Sequence, residues 1–220
     1  MNLTRIVVLA NSWKHGDYCI AGIEALSHKW IRPVTDLNDG RIPKSSMKTH
    51  GRFPQLLDIL AMPLHGTGPD YGFACENRTI GEGEWHFRGQ VDINALLKYV
   101  VQPEYILHND ERYVTVEEMQ QKPIEERTTL QLIRVDDFEV QEKKGVSPNQ
   151  YQMLGVIPSG GRRLALSITD PVYFEKLSHG HKPSKSCLLT MSLGMPYKRP
   201  EWGEAASAAC WKLIAGVIEL

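Results

Sequence analysis

Residues 19–36 read CIAGIEALSHKWIRPVTD and residues 153–170 read MLGVIPSGGRRLALSITD. The two segments are equal in length and end on the same Thr-Asp. In each, an apolar strand-like run, a polar turn and a second run follow in one order, which is the pattern of a β-hairpin. After a polar loop of similar length comes LLDILAMPL from Leu56 in the first case and LLTMSLGMPY from Leu188 in the second, one residue longer. A hairpin, a loop and a further strand matched in sequence predict two similar β-rich halves, although two copies fall short of a repeat array. Coincidence between two β-rich segments is the alternative.

Working outward, residues 4–10 are β-branched and read as a buried strand that leaves at Asn11 into a polar loop ending near Asp17. Residues 18–25 and 29–35 are the hairpin strands of the first copy, with Pro33 marking an edge or a bulge because proline cannot donate to a ladder. Residues 36–55 carry glycine, proline, serine and lysine without a period and predict a long basic loop. A strand follows at 56–64, an irregular stretch at 66–83, and a half-exposed strand at 84–88. From Val91 the period becomes helical, and 116–121 has an acidic first helical turn. Past residue 128 strands are expected at 129–135, 137–142, 150–157, 163–168, 187–193 and 210–219. The expected architecture is mainly β (α+β): a small β-barrel over 1–90, an acidic helical connector over 91–127, and a second small barrel over 128–220. About five short strands per half fit an OB-type barrel, and immunoglobulin-like or SH3-like folds fit nearly as well.

Composition sets limits. The 42% hydrophobic and 23% charged fractions are those of a folded globular chain. No apolar run approaches the ~20 residues of a membrane-spanning helix, and the start of the chain lacks the pattern of a signal peptide, so no membrane association and a cytoplasmic location are expected. Cys19, Cys75, Cys187 and Cys210 show no CxxC pairing and predict buried free thiols rather than disulfides or zinc. The net charge of −1 hides a gradient: residues 1–56 carry eight Lys/Arg against four Asp/Glu, residues 101–142 four against eleven, and residues 143–220 ten against five. Near-neutrality argues against strong non-specific DNA binding, while a local basic surface stays open.

The segments ANSWKHGDYCIAGI (residues 10–23), KWIRPVT (29–35), SLGMPY (192–197) and WKLIAGVIEL (211–220) together resemble the dual-OB (DuOB) domain family of bacteria. The resemblance spans nearly the whole chain. It implies two tandem OB-like barrels and a nucleic-acid-binding role, often beside bacterial conflict or defence genes and hence near a protein partner encoded close by. It supplies no catalytic residue. The family-like positions are Asn11, Ser12, Lys14, Cys19, Trp30, Arg32 and Pro33 in the first half, with Thr169, Asp170, Ser192, Leu193, Gly194 and Lys212 in the second.

Single-stranded nucleic acid is held by rings that stack on bases and cations that follow the backbone. Trp13-Lys14-His15 and Lys29-Trp30-Ile31-Arg32 supply that mixture, and strand alternation places Trp30 and Arg32 on one face. Asn11, Ser12, Trp13, Lys14, Trp30, Arg32 and Lys212 are therefore the expected contacts with single-stranded DNA or RNA. The structural alternative packs Trp30 into the core and pairs Arg32 with an acid. Thr35-Asp36 and Thr169-Asp170 are read as turn caps, His179-Gly180-His181 as a solvent loop short of metal ligands, and Cys19 as an inert thiol. No cofactor or metal is signalled, and no P-loop, GxGxxG, HExxH or GxSxG motif is present. Two other functions stay open: an adaptor docking a basic partner through its acidic middle, and an enzyme on nucleotides using Asn11, Lys14, Arg32 and Asp170.

Overall fold

A computed structural model describes residues 3–14, 16–47, 49, 51–144 and 151–220. His15 and Gln150, both part of the readings above, lie outside the described residues. The chain divides into two compact units, Met1–Tyr99 and Val100–Leu220, each with its own sheet.

The first unit contains β1 (Leu3–Lys14), β2 (Asp17–Glu24), β3 (Trp30–Val34), β4 (Asp58–Pro63), β5 (Asn77–Thr79) and β6 (His86–Gln90), in the order β5-β3-β2-β1-β4-β6. β1 serves two partners. Its first residues, Leu3 to Val7, pair with β4, and Ile6 to Lys14 pair with β2, with a register shift between Val8 and Ala10. A bulge there lets one long strand bend between two neighbours. Gly22 of β2 sits where the backbones approach closest: a Cβ at this position would lie 2.0 Å from the Val7 carbonyl oxygen. The core is built from Ile6 and Val8 of β1, Ile20, Ile31, Leu60, Met62 and Trp85.

Two expectations change here. The strand does not end at Asn11, because pairing with β2 runs on through Ser12↔Cys19, Trp13↔Tyr18 and Lys14↔Asp17. The 36–55 segment is not merely a solvated loop either: Ile42 exchanges backbone hydrogen bonds with Tyr18, and Ile42 and Met47 complete the core. Pro33 sits where β3 leaves β2, paired at Gly22↔Ile31 and Ile23↔Trp30, and takes up β5 in parallel through Arg32↔Asn77 and Pro33↔Arg78.

The second unit holds β7 (Tyr113–Thr115), β8 (Leu130–Val135), β9 (Glu139–Lys144), β10 (Tyr151–Ser159), β11 (Arg162–Ile168), β12 (Cys187–Tyr197) and β13 (Ala209–Glu219), in the order β8-β12-β13-β11-β10-β9 with β7 on β13. All six strands expected after residue 128 are present. The hairpin β10–β11 occupies the segment matched to β2–β3. β8 pairs with β12 while β9 pairs with β10, so the two together make the pairings that β1 alone makes with β4 and β2, interrupted at Asp136 to Phe138.

Residues 91–127 do not stand apart as a helical connector. A 3-10 turn at Ile93–Tyr99 belongs to the first unit, while β7 and the short helix α1 (Val116–Gln120) belong to the second. The physical reason is the ladder from β7 to β13, which stitches this stretch into the second sheet. Thr115 and Glu118 close a capping box at the start of α1. The longer helix α2 (Pro171–Ser178) starts on Asp170, whose side chain accepts from the amides of Val172 and Tyr173. Among the described residues no helix is long and apolar enough to cross a membrane.

Candidate nucleic-acid interface

The β1–β2 hairpin presents two different faces because side chains alternate along paired strands. On one face Trp13 stands opposite Tyr18. The Tyr18 ring stacks on Phe53 with centroids 6.1 Å apart and planes 26° apart. The Lys44 ammonium lies over both rings, 5.6 Å from one centroid and 6.0 Å from the other. Trp13 and Phe53 are 47% and 51% exposed, while Tyr18 between them is half-buried against the core. Asn11, two residues before Trp13 on the same face, donates through Nδ2 to the Pro54 carbonyl at 2.8 Å and thereby ties the Phe53 segment to β1. Nearby in sequence, the Arg52 guanidinium lies 4.0 Å from the centroid of the half-exposed Phe87 ring.

The opposite face is polar, and its charges find partners within the unit. The Lys14 ammonium donates to the Asp39 carbonyl. Burial lowers the Lys14 pKa, with the positive charges of Arg32 and Arg41 adding to the effect while Cys19 and Asp39 pull against it. Arg41 bonds both Asp17 and Asp39 at 3.1 Å. Arg32 is almost fully buried, with Nη1 2.8 Å from the Glu76 carboxylate. The Tyr71 hydroxyl is buried here without a hydrogen-bond partner among the described residues, and burial raises its pKa, with Asp39 adding to it.

The expected contacts therefore separate. Trp13 is at the surface and Trp30 is half-buried at the end of β3. Asn11 and Ser12 are buried within the strand. Arg32 does not join Trp30 on an open face, because its charge neutralises a buried acid. Tyr18, Phe53 and Lys44 were not singled out in the sequence, where the only cue was an aromatic residue inside a basic loop.

The dual OB-containing domain profile matches residues 4–217 of the 220. The chain belongs to this family. Dual OB-containing domains carry OB-fold modules, a fold often used to bind nucleic acid. No curated protein and no solved structure matches the chain.

In this dual OB-containing domain Lys212 is also internal. It is 2% exposed, and its Nζ donates to the Asn109 carbonyl at 2.6 Å and to the Asn109 side chain at 2.8 Å. Burial lowers its pKa to about 8 against the pull of Asp110, Glu111 and Glu118. Between about 8 and the ordinary lysine value of ~10.4 the unfolded chain binds more protons than the folded one, so stability rises with pH there. Relative to Lys212→Met, the wild type is expected to gain stability as pH rises across that window. Parallel urea titrations of the two proteins measure it, and a pH-independent difference would refute it.

The second Asp170 oxygen accepts from the Val217 amide, and the Thr169 hydroxyl donates to the Ile214 carbonyl. Asp36 is exposed and caps no helix. His181 meets the Glu219 carboxylate at 2.9 Å, and no group of three metal-ligating side chains occurs among the described residues. Cys187 and Cys210 are buried, the former thiol pushed up to about 12 by burial; Cys75, in contrast to the expectation, is exposed and Cys19 only half-buried. A cleft of about 620 Å³ in the first unit is lined by Thr35, Asp36, Thr79, Glu82 and Trp85 among others. Its charges are carboxylates, which repel phosphate.

Proposed function

We propose that this chain is a non-catalytic binding module for single-stranded nucleic acid, that its two units are OB-type barrels, and that the first holds a strand on the Trp13–Tyr18–Phe53 row. The observation that carries the reading is that row, exposed at Trp13 and Phe53, with the Lys44 ammonium over the Tyr18 and Phe53 rings. Rings accept bases of any sequence, and a cation beside them meets the phosphate. The barrel reading is supported by the pairing of the short fifth strand. β5 runs parallel to β3, and the next residue, Ile80, bridges Leu64 just past β4. β13 likewise runs parallel to β11 and antiparallel to β12. Both arrangements fit a five-stranded Greek-key ring. In such barrels the loop joining the first two strands takes part in oligonucleotide binding, and Trp13 and Tyr18 flank that loop.

The test is fluorescence anisotropy of the full chain with labelled single-stranded DNA, single-stranded RNA and duplex DNA across a salt series. Saturable binding to single strands that weakens with salt is the expected result. Absence of binding at low salt refutes the reading. With few cations at the row the salt dependence should be shallow, and Lys44→Ala is expected to reduce the log–log slope by about 0.7, the contribution of one phosphate contact on a single strand.

A second reading, an adaptor that docks a basic protein, is favoured by one observation: Glu117, Glu125 and Glu126 are exposed, and Ile124 is 43% exposed beside the latter two in sequence. It predicts salt-sensitive protein binding that survives loss of the Trp13 and Phe53 rings.

A further inference from the structure

The second unit carries an aromatic cluster of its own. Trp211 on β13 stands opposite Tyr113 on β7, and Trp202 folds over them from the segment joining β12 to β13. The three rings touch pairwise, with centroids 5.1, 5.2 and 5.7 Å apart. The Arg199 guanidinium lies 4.1 Å from the Trp211 centroid. All three rings are only half-buried, and Tyr197 at the end of β12, paired with Ala209 two residues before Trp211, is 55% exposed. The Trp211 indole N–H is buried and meets no acceptor among the described residues, a condition that native proteins rarely leave unanswered.

We propose that this cluster is a second nucleobase-stacking site, one that a single strand occupies independently of the row on the first unit. The proposal rests on the single-strand reading above and extends it to a second place on the chain. Tyr113 and Trp211 are fixed by a strand ladder and form a rigid base, while Trp202 sits on a connecting segment that can adjust to a ring placed against it. Arg199, whose Nη1 lies 3.5 Å from the exposed Glu201 carboxylate, adds a charge that a phosphate can draw from that loose pair, and stacking with a guanidinium alongside is the chemistry single-strand binders use.

Calorimetric titration of the full chain with hexathymidylate at low salt tests this, six nucleotides being about the footprint of one small barrel. Two hexamers per chain are expected for the wild type. One is expected for Arg199→Ala/Trp202→Ala, one for Trp13→Ala/Phe53→Ala, and two again for Trp202→Phe, which keeps a ring. Arg199→Glu, a surface charge reversal, should weaken only one of the two sites and serves if the double variant fails to fold. A wild type that binds one hexamer, lost with Trp13 and Phe53 but indifferent to Arg199 and Trp202, overturns this inference and leaves the first-unit site standing. The reverse pattern supports this site and refutes the first. No hexamer bound at all overturns both.

Discussion

Arg32→Ala is expected to destabilise the first unit by about 3–5 kcal/mol, the usual penalty for removing one partner of a buried ion pair. The pair is well enclosed: side-chain exposure is 9% for Arg32 and 7% for Glu76, and the closest approach is 2.8 Å. The Arg32 amide also donates to the Glu76 carbonyl at 3.0 Å, so the side-chain pair sits over the junction of β3 with β5. Removing the guanidinium leaves a carboxylate in low dielectric without its counter-charge, and protonation or local opening must follow. Replacing both partners, as Arg32→Met with Glu76→Leu, should restore most of the loss because no uncompensated charge remains. Chemical denaturation of the wild type, Arg32→Met, Glu76→Leu and the double variant gives the coupling directly. If Arg32→Ala instead leaves stability unchanged and weakens oligonucleotide binding alone, the guanidinium is a ligand contact and not the counter-charge of Glu76.

Trp13→Ala/Phe53→Ala should abolish most binding of a single strand to the first unit. Base–ring stacking contributes ~1–3 kcal/mol per base, so losing two rings weakens binding by about 2–6 kcal/mol, a factor of roughly 30 or more. Because both rings are about half exposed, the melting temperature should move little, which separates this variant from the Arg32 one. Anisotropy with a strand short enough to occupy one site measures the change. An unaltered dissociation constant would refute the stacking row.

The fold was legible where the local signal and the tertiary context agree. The runs at 4–10, 18–25, 29–35 and 56–64, and the six after residue 128, are β-branched or alternating and become strands. What was missed depends on distant partners. β7 is three residues long and exists because β13 lies beside it; Asn77–Thr79 is a strand because Arg32 to Val34 pair with it. The polar stretch Asn11 to Lys14 has the composition of a loop, yet β2 supplies a full ladder and Pro54 an acceptor for Asn11. The same holds for the site. Lys14, Arg32 and Lys212 have the residue types of phosphate contacts, but their partners are internal, and for Lys212 the partner lies 103 residues away. Phe53 and Lys44 gain meaning only once the 36–55 segment folds back onto Tyr18.

The pairing of β13 with β7, β11 and β12 bears on the order in which the chain matures during translation. Every strand of the first sheet has been synthesised by residue 90, so that unit can collapse while the remainder is still emerging from the ribosome. The second cannot. β7, made early, waits until residues 209–219 appear, and β11 and β12 lack their common neighbour until the same moment. Closing contacts over so long a separation is slow, and in that interval the edges of β11 and β12 stay unpaired. A ribosome pausing shortly before residue 209 would hold a finished first unit beside an incomplete, adhesive second one.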